Sequence, residues 1–317
     1  MQITVVGAGV SGLVTARTLE ERGHDVTLVT AATWDATVSD VAGAIWFPYQ
    51  AGPRERVAQW AATTRRWLEE IARESPQAGV DVLTGYEITP TDERPWWAAV
   101  VDVARAPAPV IGAPMAWQFV APRVVPSLFL RWITADLRGH VEVRAVTELA
   151  TLPGDVVVNC TGLGARALCG DPALVPLLGQ ILVTAPGAVD LAVSITDDRD
   201  PEDLFYVIPR RRELVLGGCA LPYSPDDAPW PKPDPEITAR ISRHAAALGI
   251  AYGTAPGDVF FERTGLRPYR PEVRLERDPH DARVIHNYGH GGAGFTLARG
   301  CALEVAALCD QILMTPP

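Results

Sequence analysis

The chain has 317 residues, of which 48% are hydrophobic and 21% charged, and its formal net charge is −10. This length can bury a sizeable core in two domains, and the composition is ordinary for a globular protein. The acidic balance without a basic block excludes nucleic acid as an expected partner. No segment approaches the ~18 apolar residues of a membrane span, so we expect no membrane partner.

The first element is a short β-branched strand at residues 2–6, followed at once by the loop Gly7-Ala8-Gly9-Val10-Ser11-Gly12 and a helix to Arg22. A strand at 26–29 completes a βαβ unit around this GxGxxG sequence. In such a unit the glycines permit the tight turn, the approach of a pyrophosphate and the packing of helix on strand. Residues 30–32 read Thr-Ala-Ala, so the acid that usually holds a ribose hydroxyl is absent.

The middle of the chain predicts further helices and returning strands. Residues 53–74 have apolar residues at helical spacing, and Pro126 opens a second helix to about Leu137. Strands at 141–143 and 156–158 are expected to rejoin the nucleotide-binding sheet. The second of these ends in a sharp turn, at the carboxyl edge where open α/β sheets bind ligands.

Residues 179–218 are rich in strands, with the segments GQILVT, LFYVIP and ELVLGG. This spacing predicts a mostly antiparallel sheet. One helix is predicted over 234–249, closed by Gly249, and the chain then returns to the first domain through 259–295.

The segment 284–304 reads VIHNYGHGGAGFTLARGCALE. An apolar strand runs into a loop with four glycines in six residues, and a helical pattern then starts near Phe295 and runs to the end. A strand, a glycine loop and a helix N-terminus form a site for a flat or anionic ligand, because free N–H groups point into the gap. The alternative is a flexible glycine-rich turn, and the similar loop at residues 7–12 argues against it.

The five cysteines, at positions 160, 169, 219, 301 and 309, contain no CxxC pair. That pattern is typical of reduced core residues and not of a disulfide framework or a zinc site. No basic and then apolar leader precedes the first strand, which begins at residue 2. We therefore expect a cytoplasmic protein without a bound metal.

Six segments together resemble the D-amino acid oxidase family of FAD-dependent enzymes. In chain order they are GAGVSG at 7–12, VAGAIWFPY at 41–49, VVNCTGLGA at 157–165, YVIPRRRELVLGG at 206–218, GLRPYRPEVRLE at 265–276 and the segment 284–304. The resemblance implies an α/β fold in which a Rossmann-like FAD-binding domain is interleaved with a mostly antiparallel β-sheet substrate domain. We expect the FAD-binding domain to comprise 1–49, 124–175 and 258–317, and the substrate-binding domain 50–123 and 176–257.

The resemblance also implies which residues bind FAD. By motif, the loop from Gly7 to Gly12, with Ala8, Gly9, Val10 and Ser11, would lie by the pyrophosphate. The remaining positions are Ser39, Gly43, Ala44 and Ile45 along the phosphates and flavin, Val146 near the adenine, and Gly291, Gly294, Phe295 and Thr296 against the isoalloxazine. A helix that starts near Phe295 would aim its N-terminal N–H groups at the flavin edge that becomes negative on reduction.

The substrate residues implied by the resemblance are Arg267 and Tyr206, which would hold the carboxylate, and Gly292, whose carbonyl would accept from the amine. A guanidinium gives a planar two-point clamp that fixes orientation as well as charge. We interpret Arg270 and Arg274 as members of ion pairs. The two histidines of the glycine loop, His286 and His290, are interpreted as structural.

The sequence departs from the family in two places. The second active-site tyrosine of the family is missing, because the position four before Tyr206 is Glu202 and Tyr223 is out of register. A long lid is therefore not expected. Phe47 stands where the family often has a polar residue, and no acid is evident beside it. We therefore expect a pocket for neutral or apolar D-amino acids.

The activity that follows from the resemblance is oxidative deamination. Hydride transfer from Cα to flavin N5 would give an imino acid, water would release the 2-oxo acid and ammonia, and oxygen would yield hydrogen peroxide. The expected partners are a D-amino acid and oxygen, and the protein would be a monomer or homodimer.

Other functions remain open at this point. A D-aspartate oxidase would need a second cation, for which Arg210, Arg211 and Arg212 are near in sequence. A glycine or sarcosine-type oxidase would share the GxGxxG motif and the chemistry. A nicotinamide-dependent dehydrogenase or a non-catalytic nucleotide-binding protein would share the first motif alone.

Overall fold

The computed structural model describes residues 1–112, 115–187, 189–200, 203–224, 230–252 and 259–314. The strands in these ranges are β1 (Gln2–Val6), β2 (Asp25–Thr30), β3 (Val80–Ile88), β4 (Val103–Pro107), β5 (Met115–Val124), β6 (His140–Val143), β7 (Val156–Asn159), β8 (Val175–Thr184), β9 (Val193–Asp197), β10 (Phe205–Pro209), β11 (Leu214–Gly217), β12 (Leu221–Pro222), β13 (Val259–Arg277) and β14 (Val284–His290). The α-helices are α1 (Val10–Glu21), α2 (Val38–Val41), α3 (Arg54–Glu74), α4 (Pro126–Ala135), α5 (Ala165–Leu168), α6 (Pro235–Ala247) and α7 (Gly294–Met314).

Within the described residues the strands form one sheet of mixed direction. Its order is β4-β5-β3-β9-β10-β11-β8-β13-β14-β7-β1-β2-β6, and β12 pairs with β8. The strands from β14 to β6 run parallel, in the order expected of a nucleotide-binding unit. From β5 to β13 the pairs are antiparallel except for β3 and β9. The long strand β13 pairs with both β8 and β14 and so joins the two parts.

Helices bury the parallel part of the sheet. The strand β1 is almost entirely buried, as expected of a strand covered on both faces. Helix α1 packs against α7, and α7 packs against α3, so the first and last helices of the chain lie side by side. Their apolar residues, with Phe129 and Leu130 of α4, form the largest core cluster. This packing holds the loop before α1 and the loop before α7 next to each other.

The antiparallel part of the sheet has one covered face and one face that lines a cleft. Ile237, Ile241 and Ala245 of α6 pack with Leu182 and Leu216 on the first face. On the second face a smaller cluster of β-branched side chains lies next to Tyr206. The alternation of side chains along each strand therefore sends every second residue of β8, β10 and β11 toward the cleft.

The structure confirms the predicted elements and their order. The helices expected over 53–74 and 234–249 are found at Arg54–Glu74 and Pro235–Ala247, and the mostly antiparallel second part of the sheet is also found. The last helix runs to Met314, and the remaining part of its prediction, at 315–317, lies outside the described residues. The strand Val193–Asp197 was not identified from the sequence. All five cysteines are free.

No helix in the described ranges combines the length and apolar character needed to cross a membrane.

Candidate active site

One cavity of about 530 Å³ extends from the first glycine loop to Arg267. Both glycine loops contribute to its wall, together with the turn after β7 and the cleft face of the antiparallel strands. The sequence-predicted residues on the wall are Gly7, Ala8, Gly9, Val10, Ser11, Ser39, Gly43, Ala44, Ile45, Phe47, Val146, Tyr206, Arg267, Gly291, Gly292, Gly294 and Phe295. Gly12 and Thr296 are not on the wall, but Gly12 packs against Gly7 and Thr296 is hydrogen-bonded to Phe47, both of which are wall residues.

The N-terminal end of the cavity has the geometry of a diphosphate site. A Cβ on Gly12 would lie 1.8 Å from the carbonyl oxygen of Gly7, so a glycine is required where α1 passes over the turn. Helix α1 has Gly9 at its N-cap, no capping side chain and no acid in its first turn. The N–H of Val10 donates to Ser39 Oγ at 3.0 Å. The first turn thus presents N–H groups and a hydroxyl to an anion, and no negative charge repels it.

The next part of the cavity, beyond β2, is lined by small and apolar residues. Thr30, Ala31, Ala32, Val146 and Leu168 form this part of the wall. The Thr30 hydroxyl donates to the carbonyl of Ala32 at 2.7 Å, which leaves its oxygen as an acceptor. The wall therefore fits an adenosine held by apolar contacts and backbone groups, without the acid that usually holds the ribose.

The second glycine loop brings the N-terminus of α7 to the centre of the cavity. Helix α7 begins at Gly294, close to the predicted start at Phe295. The backbone N–H of Phe47 donates to Thr296 Oγ1, and this hydroxyl donates to the Phe47 carbonyl, both at 3.0 Å. Thr296 therefore fixes the segment that carries Phe47 against the helix. A flat ring in this part of the cavity would face helix N–H groups.

Arg267 lies on β13 with its guanidinium over the backbone of β8. A Cβ on Gly179 would lie 2.6 Å from Arg267 Nη1, so the side chain fits because position 179 is a glycine. Nη1 donates to the carbonyls of Cys219 at 2.6 Å and Leu178 at 3.4 Å. In the described part of the chain no carboxylate pairs with this guanidinium. Arg267 thus presents an unpaired positive charge to the cavity.

The Tyr206 ring is held close to this cation by two glycines. Cβ atoms on Gly217 and Gly218 would lie 2.2 Å and 2.8 Å from carbon atoms of the Tyr206 ring. Burial raises the pKa of Tyr206, and the charge of Arg267 opposes that effect. The phenol is therefore a hydrogen-bond donor beside the guanidinium at neutral pH.

Tyr49 is a cavity residue that the sequence reasoning missed. Its ring contacts Gly292, because a Cβ there would lie 3.1 Å from Tyr49 Cδ1. Burial raises the pKa of Tyr49 to about 12, with a contribution from Asp198, while Arg267 opposes the rise. A second hydroxyl is therefore present in the cavity. The signal for it was the tyrosine that ends the WFPY motif, two residues after Phe47.

Phe47 forms an apolar wall with other aromatic residues. Its ring centroid lies 5.5 Å from that of Trp97 and 6.1 Å from that of Phe119. Acidic residues were not expected beside it, but two lie on the same side of the sheet. Glu87 pairs with Thr196, a cavity residue on β9, and Asp198 follows two positions later.

The remaining charged candidates have structural partners. Arg270 pairs with Asp171 at 3.0 Å and Arg274 with Glu276 at 2.8 Å, which confirms both as ion pairs. His286 is buried, and its Nε2 lies 2.8 Å from a carboxylate oxygen of Asp278.

His290 is the histidine that reaches the cavity wall. Burial lowers its pKa to about 4, and its Nε2 lies 3.1 Å from Asn287 Oδ1, so Nε2 is the protonated nitrogen. The position discussed for a lid tyrosine, Glu202, lies outside the described residues.

The fold and this cavity define the class of protein as one that binds a dinucleotide, with the Arg267 cation in the same cavity. A family model described as FAD dependent oxidoreductase matches residues 2–308. The chain belongs to this family, and its cofactor is FAD.

Relatives of known activity cover nearly the whole chain. A D-amino-acid oxidase of Streptomyces coelicolor is 42% identical, over 98% of this chain and 97% of the relative. A D-amino-acid oxidase of Rubrobacter xylanophilus is 40% identical, over 98% of this chain and 96% of that relative. The human D-aspartate oxidase is 33% identical, over 99% of this chain and 97% of that relative.

A solved structure supports the fold. The glycine oxidase of Geobacillus kaustophilus superposes with a TM-score of 0.79, at 16% identity, over 98% of this chain and 94% of that one. At this identity the likeness concerns the fold alone.

Proposed function

We propose that this protein is a D-amino acid oxidase, which converts D-amino acids and oxygen into 2-oxo acids, ammonia and hydrogen peroxide. The observation that carries the proposal is the Arg267 guanidinium, which faces the flavin part of the cavity without an acidic partner among the described residues. A partly buried cation without a counter-ion favours binding of an anion, and the carboxylate of an amino acid supplies one. The activities of the two D-amino-acid oxidase relatives agree with this reading.

The side chains of the cavity would bind and orient the substrate. Arg267 and the Tyr206 hydroxyl would hold the carboxylate, and the Gly292 carbonyl would accept from the amine. Tyr49 would add a second hydroxyl on the side of Gly292. With carboxylate and amine fixed in this way, one hand of the substrate directs its Cα hydrogen at the flavin. FAD would supply the two-electron acceptor for that hydrogen and pass the electrons to oxygen.

None of these side chains needs to act as an acid or base. The raised pKa values of Tyr206 and Tyr49 keep both phenols protonated at neutral pH. The lowered pKa of His290 keeps that imidazole neutral, and its Nε2 is bonded to Asn287. The protein would therefore contribute positioning, desolvation and electrostatic stabilisation.

The FAD contacts belong to the same proposal. The loop from Gly7 to Gly12 with Ser39 would hold the pyrophosphate, Val146 would lie by the adenine, and Gly43, Ala44 and Ile45 would follow the phosphates and flavin. The segment Gly291–Thr296 would place the N-terminus of α7 at the flavin edge that becomes negative on reduction. We propose the domain boundaries given by the sequence, with 1–49, 124–175 and 258–317 binding FAD.

A D-aspartate oxidase is the second candidate, because the human relative has that name. It needs a cation for the second carboxylate. Arg210 donates to the carbonyl of Ala42 and pairs with Glu213, and Arg211 pairs with Asp81. Neither residue lines the cavity, and Arg212 is exposed and does not line it either. Phe47 forms an apolar wall, so the geometry favours substrates without a side-chain carboxylate.

The proposal is tested by measuring peroxide, ammonia and 2-oxo acid across a panel of D- and L-amino acids, glycine and D-aspartate. We expect turnover of D-methionine, D-valine and D-leucine above that of D-aspartate and glycine, and none of the L-forms. A higher kcat/KM for D-aspartate would favour the second candidate.

We further propose a cytoplasmic monomer or homodimer, which cell fractionation and size-exclusion chromatography would test.

A further inference from the structure

We propose that the side-chain end of the substrate cavity binds a cation through Glu87 and Asp198, so that the preferred substrates are D-amino acids with long side chains that end in a positive charge. This inference rests on the proposed function and deepens it, because it names the substrate class. Three observations support it: the register of the sheet, the burial of the Glu87 carboxyl group and the position of Asp198.

The register places Glu87 on the cavity side of the sheet. Glu87 on β3 pairs with Thr196 on β9, which in turn pairs with Tyr206 on β10. Residues directly opposite each other in neighbouring strands point to the same face. Thr196 and Tyr206 both line the cavity, so Glu87 faces the same way one strand beyond Thr196.

Glu87 is buried without a full set of partners. Glu87 as a whole is 5% exposed, and its Oε2 atom is enclosed with no hydrogen-bond partner among the described residues. The side chain has a hydrogen bond with Trp97, whose ring packs against Phe47. Burial, with a contribution from Asp198, raises the pKa of Glu87 to about 8. A cation at this point would provide the missing partner and favour the ionised carboxylate.

Asp198 is the second acid at this end of the cavity. It lies one residue past the end of β9, but its N–H donates to the carbonyl of Ile88 on β3, so the pairing continues and Asp198 returns to the face of Thr196. Asp197 between them points to His244 on the opposite face. Burial raises the pKa of Asp198, and the Asp198 charge in turn contributes to the raised pKa values of both Tyr49 and Glu87. The Asp198 carboxylate therefore lies close enough to Tyr49 and Glu87 to influence both, just behind the residues that line the cavity. It has no ion-pair partner in the part of the chain that the structure describes.

The order of groups along the cavity matches one class of amino acid. Arg267 and Tyr206 take the carboxylate at one end, and Phe47 with its aromatic neighbours provides an apolar wall along the middle. The two acids lie beyond Thr196. A side chain with a methylene stem and a cationic head, as in D-arginine, D-lysine or D-ornithine, satisfies the apolar wall and the acids together. A purely apolar side chain contacts the aromatic wall but gives the two acids no partner. An acidic side chain is repelled by the two acids.

The test compares D-arginine with D-citrulline, which has nearly the same shape but a neutral head. We expect the kcat/KM ratio of D-arginine to D-citrulline to be on the order of tenfold or more, because hydrogen bonds to charged groups are worth more than neutral ones. Asp198→Asn and Glu87→Gln keep the shape of each acid and remove its charge. Each should lower the ratio severalfold, and the double variant should bring it near unity.

The matched control is Asp190→Asn, which removes a charge from an exposed residue whose carboxylate accepts from the N–H of Ala192. It should leave the ratio unchanged. Equal kcat/KM values for the two substrates in the wild type, or a ratio that neither acid variant changes, would overturn this inference and leave the proposed function intact, since D-citrulline or D-methionine would still be oxidised. Failure to oxidise any D-amino acid would overturn both proposals.

Discussion

Replacement of Arg267 by leucine tests the assignment of the carboxylate site. The guanidinium lies over Gly179, and its Nη1 is tied to the carbonyls of Cys219 and Leu178, so the side chain is preorganised. Its charge is unpaired in the described part of the chain, so the substrate carboxylate would be its counter-ion. In Arg267→Leu that carboxylate enters a cavity whose described lining contains no other lysine or arginine. Flavin should stay bound, because the residue faces substrate.

The size of the loss follows from the bonds removed. A hydrogen bond to a charged group contributes about 1.5–3 kcal/mol, so loss of a two-point clamp should cost on the order of 3 kcal/mol or more. In kcat/KM this is a decrease of about a hundredfold, measured by peroxide release at low substrate concentration. Arg267→Lys keeps the charge but not the planar fork, and it should retain an intermediate activity.

The control is Arg277→Leu, on the same strand, where the guanidinium donates to the exposed carbonyl of Ala282. It should keep both flavin and turnover. Near-wild-type kcat/KM in Arg267→Leu, with the flavin content unchanged, would remove Arg267 from the site.

Three further predictions concern the cofactor and the pH dependence of stability. Gly12→Ala puts a Cβ 1.8 Å from the Gly7 carbonyl oxygen, so the protein should be purified mostly without flavin; a normal ratio of flavin to protein absorbance would refute this. Glu87 has a folded pKa of about 8 against 4.5 when unfolded, so it destabilises the fold as pH rises between these values. Glu87→Gln should therefore raise the unfolding free energy by on the order of 3 kcal/mol at pH 8 and by much less at pH 5 in urea titrations, and an equal effect at both would contradict the burial argument. Burial lowers the pKa of His244, but its hydrogen bonds to Asp197 and Asp203 outweigh that and leave it raised. Its stabilisation should be full below pH 6.5 and lost as pH rises through the raised pKa, and His244→Gln should flatten this dependence in thermal unfolding.

The sequence was sufficient for the elements whose physical signal is local. Helix α3 was predicted because its apolar residues recur at helical spacing, and α4 because Pro126 opens it. The glycine loops were recognised because close approach of backbones leaves no alternative residue, as at Gly12. Arg267 and Tyr206 followed from their motifs, and the structure brings both to one cavity.

The residues that were missed depend on contacts between distant strands. Glu87 and Thr196 are far apart in sequence, and their pairing on β3 and β9 leaves no local trace. The strand β9 has the sequence VSITD, and an alternation with two apolar residues is too short to identify a strand. Tyr49 stood inside a recognised motif, but its approach to Gly292 depends on how the two loops pack. Whether a pocket is apolar or acidic is therefore a property of strand register and not of one wall residue.

The most direct test of the central claim is to mix the purified flavoprotein with substrate in the absence of oxygen. We predict that D-methionine or D-arginine bleaches the absorbance of the oxidised flavin in a single turnover, that air restores it, and that the matching L-amino acids leave it unchanged. Flavin that remains oxidised with every D-amino acid, or that is bleached equally by both hands of a substrate, would contradict the account.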